Sequence, residues 1–226
     1  MKPLEWPMQM LVLSRPVSLL WLLLTCLLSA APVAWAQAPA STPSILIYGD
    51  SLSAAYGLAT NQGWPHLLQN RLGKNGKWKV VNRSLSGETT HGGLERLPRV
   101  LGQVRPRLVV LALGANDGLR GLSLTHTEQN LRDMIRLSRQ AGADVLLVGI
   151  AVPPNYGADY AGRFQAIFAR LAQAEKTRLV PFMLEGFGDD LRFFQADRIH
   201  PNAAAQPRML EIIWQVLGTM IDRERP

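Results

Sequence analysis

Cysteine is almost missing from this sequence: Cys26 is the single one in 226 residues. No disulfide can therefore brace the chain, and stability has to come from a packed core. A long apolar run is missing too. Residues 17–28 (VSLLWLLLTCLL) are uncharged and mostly apolar, but 12 residues are short of the roughly 20 that a spanning helix needs. No basic stripe with interleaved aromatics occurs, so nucleic-acid binding has no support. Neither an internal repeat nor a second domain boundary is visible.

What is present begins with an export signal over residues 1–36. Lys2 and Arg15 supply positive charge ahead of the apolar run, and Ala34-Trp35-Ala36 reads as a small-x-small cleavage site that leaves Gln37 as the new N-terminus. Cys26 lies inside this signal, and Thr25 before it is too large for a lipidation site. Residues 37–43 (QAPASTP) read as a flexible leader, and residues 44–226 as a single domain. The expected location is periplasmic or secreted. Residues 1–36 carry a net +1 of the chain's +7, which leaves +6 on the remainder. That charge suits an anionic lipid surface or an acidic ligand. The basic residues are scattered along the sequence, however, as on an ordinary solvated face.

Short apolar runs alternate with stretches of helical period. Strands are predicted at 44–48 (SILIY), 79–82, 108–113 (LVVLAL), 145–150 (VLLVGI) and 179–182. Several lack polar alternation, as strands buried on both faces do. Helical stripes fall at Trp64, Leu67, Leu68 and Leu72; at Leu131, Met134 and Ile135, after a Thr125-x-x-Glu128 capping box; at Tyr160, Phe164, Ile167, Phe168 and Leu171; and at Met209, Ile212, Ile213, Val216, Leu217 and Met220. Between Thr89 and Val104 the pattern is helical, with Pro98 expected to break or restart it. This alternation implies an α/β fold with a parallel sheet between helix layers, and a ligand site beyond the carboxyl ends of the strands.

Chemistry-bearing residues fall at those ends. Ser51 follows the first strand in Gly49-Asp50-Ser51-Leu52, where Gly49 permits a tight turn. Asp197 and His200 follow the last strand, three residues apart. An aspartate so placed can hold one imidazole nitrogen, which frees the other to take a serine proton. Gly87 follows the second strand and Asn116 the third, as candidate donors to an oxyanion. Each residue alone also fits a turn, an Asx turn or a helix cap; their joint placement is the signal. Asp50 and Asp117 border these positions and read as loop supports. His66, His91 and His126 lack partners in any comparable motif. Asn82-Arg83-Ser84 matches a glycosylation sequon but overlaps a strand end.

Ser51, Gly87, Asn116 and His200 match, in order, the signature residues of the SGNH (GDSL-type) hydrolase superfamily. GDSLSAAYG (49–57), GANDGLRG (114–121), PPNYG (153–157) and IHPNAAAQP (199–207) resemble its bacterial periplasmic acyl-CoA thioesterase I/protease I/lysophospholipase and arylesterase branch. The resemblance implies a three-layer α/β/α sandwich with a five-stranded parallel sheet in flavodoxin-like order. It implies a catalytic Ser51, His200 and Asp197, and an oxyanion hole from Ser51, Gly87 and Asn116. It also implies no metal or organic cofactor. Gly118, Leu119, Leu122, Val152, Pro153 and Tyr156 flank the cleft in chain order and suit an acyl chain, with glycines that suit a mobile lid. The expected substrate is a small-molecule acyl ester or thioester taken by a monomer; deacetylation of a cell-wall or exported polysaccharide is the alternative. A non-catalytic binding module would lack one of the signature residues, and none is missing. Two departures stand out: Ala151 where some thioesterase I members carry Arg, and Arg198 where a small residue is frequent between Asp and His.

Overall fold

Residues 42–73 and 77–223 are described by a computed structural model. The expected export segment, its expected cleavage site and residues 37–41 of the expected leader lie outside them. The five apolar runs form one parallel sheet: β1 (Ser44–Gly49), β2 (Lys79–Asn82), β3 (Leu108–Ala112), β4 (Asp144–Val148) and β5 (Arg178–Val180), in the order β2-β1-β3-β4-β5. Every residue of β1 and β3 is buried, which explains why those segments show no polar alternation. The edge strands are short and partly exposed.

Among the described residues six α-helices join or follow the strands: α1 (Trp64–Gly73), α2 (Thr90–Val104), α3 (Ala115–Leu119), α4 (Leu124–Gln140), α5 (Ala158–Ala174) and α6 (Gln206–Arg223). Helix α1 packs on α6, whereas α2 packs on α4 and α4 on α5. The apolar stripes meet the sheet as expected, with Trp64, Leu68, Leu131, Phe164, Phe168 and Leu217 almost fully buried. No helix among the described residues is long and apolar enough to cross a membrane.

Two local expectations are corrected. Pro98 does not interrupt α2, which runs continuously through it. Pro98 sits on the exposed side, while Leu97, Val100 and Leu101 stay buried, so packing of that face outweighs one lost hydrogen bond. Helix α4 starts two residues earlier than the capping box suggests. Ser123 is its N-cap and accepts from His126 N–H, while Glu128 pairs with Arg132 and Arg170 instead.

Strand order reverses between β1 and β3, which opens a crevice at their carboxyl ends. There Gly49 pairs in register with Ala112. A Cβ at Gly49 would lie 2.8 Å from the Ala112 carbonyl oxygen, so only glycine lets the two loops leave the sheet side by side.

Candidate active site

The turn after β1 is held from below. Asp50 is buried; its carboxylate accepts from Leu52 N–H at 3.0 Å, and its carbonyl accepts from Ser53 and Ala54. Asn82, at the end of β2, donates its side-chain amide to the Ser53 carbonyl at 2.8 Å. Ser51 is thereby presented at the top of the strand. Burial pushes the Asp50 carboxyl up to about 7; the Leu52 N–H opposes this, and nearby Asp117 and Glu88 add to it.

The second segment, residues 194–202, is irregular. Phe194 and Pro201 form an antiparallel bridge across its ends, and Gln195 N–H donates to the His200 carbonyl at 2.8 Å. Inside it, one Asp197 oxygen accepts from Ile199 and His200 N–H at 2.9 and 3.0 Å. The other lies 2.6 Å from His200 Nδ1. Hydrogen bonds from His200, its backbone N–H first, hold the Asp197 carboxyl down at about 2 against the opposing effect of partial burial. His200 Nε2 stands 3.0 Å from Ser51 Oγ. With Nδ1 donating to the carboxylate, Nε2 is the lone-pair nitrogen facing the hydroxyl.

The donor side is built by the loops after β2 and β3. Gly87 has φ of +79°, a left-handed conformation that favours glycine. Asn116 lies in the first turn of α3, and its side-chain NH2 donates to the Glu88 carbonyl at 3.0 Å. Buried Asp117 accepts from Thr90 N–H at 2.9 Å and from the Thr90 and Thr127 hydroxyls, which pins this loop to the starts of α2 and α4. The segments that carry Gly87 and Asn116 are thus fastened to each other.

The family model for GDSL-like lipases and acylhydrolases matches residues 47–207, a span that contains all of these groups. The chain belongs to the GDSL-like lipase/acylhydrolase family. It is a carboxylic ester hydrolase of that fold. Esterase TesA of Pseudomonas aeruginosa is 50% identical over 183 residues, 80% of this chain and 91% of that protein. Thioesterase 1/protease 1/lysophospholipase L1 of Escherichia coli is 40% identical over 185 residues, 82% of this chain and 88% of that protein. The crystal structure of the psychrotrophic esterase EstA from a Pseudoalteromonas species, inhibited by monoethylphosphonate, superposes with a TM-score of 0.75 at 36% identity, covering 79% of this chain and 98% of that one.

In this GDSL hydrolase the residues expected to flank the cleft divide in two. Gly118 and Val152 are buried against each other: a Cβ at Gly118 would lie 2.6 Å from Val152 Cγ1. Leu119 is half-buried, while Leu122, Pro153 and Tyr156 are exposed. The two flanking segments are tied together, because Tyr156 and Tyr160 hydroxyls donate to the Leu119 and Gly118 carbonyls at 2.8 and 3.0 Å. A cavity of about 690 Å³ behind this loop is lined by Leu122, Tyr160, Arg132, Arg163 and Arg170. Its guanidinium groups are engaged by Glu128, Glu175 and Asp159. His66 and His126 are exposed, and His91 pairs weakly with Glu95 on the surface.

Three residues that reading the sequence did not single out connect the two halves of the site. Gln195 donates its side-chain amide to the Tyr56 carbonyl at 2.7 Å and to the Pro201 carbonyl at 3.2 Å. Tyr56 lays its ring against that of His200, centroids 4.4 Å apart. Gln206 accepts from Trp64 N–H at 3.0 Å and so ties the start of α6 to the start of α1. The one local signal was Gly57, where a Cβ would strike the Gln195 side-chain amide.

Proposed function

We propose that this enzyme hydrolyses acyl esters and thioesters, among them aryl esters and lysophospholipids, through an acyl-enzyme on Ser51. The observation that carries this reading is the unbroken relay from Ser51 Oγ to His200 Nε2 at 3.0 Å and from His200 Nδ1 to Asp197 at 2.6 Å. His200 takes the Ser51 proton as the oxygen attacks the acyl carbonyl. The depressed Asp197 carboxyl stays ionised and favours the imidazolium that forms. Ser51 N–H, Gly87 N–H and the Asn116 side chain receive the oxyanion. The imidazolium then protonates the departing alcohol or thiol. Water, deprotonated by His200, attacks the acyl-serine, and collapse of the second intermediate returns the proton to Ser51. The scheme calls on no metal or organic cofactor. Leu119, Leu122, Pro153 and Tyr156 offer an apolar wall to the acyl chain, over a floor of Gly118 and Val152. Residues 1–36 would direct the enzyme out of the cytoplasm, where lysophospholipids and external esters are available to it.

The test is a series of p-nitrophenyl esters and matched thioesters of increasing acyl length, run on wild type and Ser51→Ala. Wild type should accept several acyl lengths, and Ser51→Ala should lose several orders of magnitude in kcat with its fold intact. A Ser51→Ala protein as fast as wild type sinks the proposal. Turnover confined to acetyl esters would instead favour deacetylation of a polysaccharide.

A further inference from the structure

Six large apolar side chains among the described residues are well exposed, between 37% and 55%: Tyr56, Leu85, Leu122, Tyr156, Leu191 and Ile199. Single exposed apolar residues normally scatter over a surface. These do not. Tyr56 covers His200, and Ile199 is its chain neighbour. Leu85 lies two residues before Gly87, its N–H bonded to the Gly49 carbonyl at 3.0 Å. Leu122 N–H bonds the Asp117 carbonyl, and Tyr156 bonds Leu119. Leu191 accepts from Phe194 N–H where the segment that carries Asp197 and His200 begins. All six therefore lie on the segments that carry the proposed site residues or on segments bonded or adjacent to them.

An exposed arginine stands within two residues of four of them: Arg83 by Leu85, Arg120 by Leu122, Arg192 by Leu191 and Arg198 by Ile199. Arg192 is neutralised by Asp190. Arg83, Arg120 and Arg198 form no ion pair among the described residues. Three of the carboxylates near the rim are engaged, Glu88 by Arg96, Asp190 by Arg192 and Asp197 by His200. Exposed Asp189, two residues before Leu191, forms no ion pair among the described residues and leaves the balance of unpaired rim charge positive. The rim is thus apolar and cationic at once, although the basic residues look scattered along the sequence.

We propose that this rim docks the enzyme on the surface of a bilayer containing anionic phospholipids. The inference rests on the acyl-ester reading of the cleft. The apolar side chains would enter the interfacial layer while the guanidinium groups meet lipid phosphates. The position of the rim selects the occupant. A protein seated there would cover the mouth of the cleft and block the substrate, whereas a lipid surface delivers an acylated substrate straight into it.

Residues 41–226 form a compact unit of their own, which holds the sheet, the described helices and their buried core, so residues 37–226, without the apolar segment 17–28, serve for the measurement. Flotation with vesicles of phosphatidylcholine alone, and with an equal share of phosphatidylglycerol, should show binding to the mixed vesicles about tenfold or more above the neutral ones, falling as salt is raised. Leu85→Ser with Leu191→Ser should weaken that binding about tenfold and leave hydrolysis of a short, water-soluble aryl ester unchanged. Arg83→Glu should weaken it about fivefold or more. Absence of binding to mixed vesicles, equal binding to both kinds, or Leu85→Ser/Leu191→Ser and Arg83→Glu proteins that float like wild type would each overturn the proposal. Ser51→Ala should float normally. A wild type that floats but cleaves no ester would remove the hydrolase reading and leave the docking surface standing.

Discussion

The turn that carries Ser51 and the segment that carries Asp197 and His200 meet at the Ser51–His200 contact and through Tyr56, yet they are built in opposite ways. The first grows out of a strand with every residue buried, and its neighbour Asp50 has no access to water. The second follows a three-residue edge strand and is mostly exposed, with Arg198 in a left-handed conformation at its tip. Their aspartates register the difference. Burial raises Asp50 to about 7, whereas hydrogen bonds lower Asp197 to about 2. Core packing positions the hydroxyl; polar contacts position the imidazole. The pair teaches that half of such a site can be fixed by hydrophobic burial while the other half depends on a handful of directed hydrogen bonds.

The sharpest way to break this contrast is Asp197→Asn, which removes the acceptor that sets the His200 tautomer. We expect kcat to fall by about 10³–10⁴ with the fold retained, read by steady-state kinetics beside a thermal melt. A change below tenfold would mean that the exposed segment does not need its carboxylate.

A smaller effect is expected where the segments are stitched together. Gln195→Ala should lower kcat about tenfold with KM within about twofold, because the bond to Tyr56 aligns His200 rather than binding substrate. Gly57→Ala displaces the same side chain, so the double variant should be no worse than the poorer single one. Additive losses would show that Gln195 does not work through this contact.

The smallest effect concerns stability. The native state holds a proton on Asp50 up to about pH 7, where the unfolded chain has lost it near the ordinary value of 3.8. This group therefore makes the fold less stable as pH rises from about 4 to 7. Asp197 acts the other way: its contribution is present above about pH 4 and is lost as pH falls toward 2. Asp50→Asn keeps the acceptor for Leu52 N–H and should flatten the fall in melting temperature between pH 5 and pH 8. An unchanged slope would mean that Asp50 does not titrate in that window.

Much of this was legible in the residues themselves. The runs in β1 and β3 announced doubly buried strands because their apolar character is unbroken, and the stripe from Tyr160 to Leu171 announced α5. Ser51, Gly87 and Asn116 were legible as candidates because each falls a few residues after a strand, and a parallel sheet sends all its carboxyl ends to one edge; Asp197 and His200, well past β5, were legible only as a closely spaced pair. Pro98 misled because its cost is local, while the buried face of α2 spreads its gain over many contacts. Gln195 and Gln206 were invisible for a different reason. A glutamine has no periodicity and no strong local preference, so its value depends wholly on which carbonyl or N–H the fold brings within 3 Å.

The order of apolar and polar residues, acting on its own, determined the strands, the helices and the edge of the sheet where chemistry would gather. Hydrophobic periodicity is a local property, and local properties are written in the chain. Tertiary structure alone decided that Gln195 would reach Tyr56, that Asp50 would lose its water, and that Gln206 would meet Trp64. Those outcomes depend on distances between segments as many as 149 residues apart, the separation of Ser51 and His200, and only the folded chain sets them.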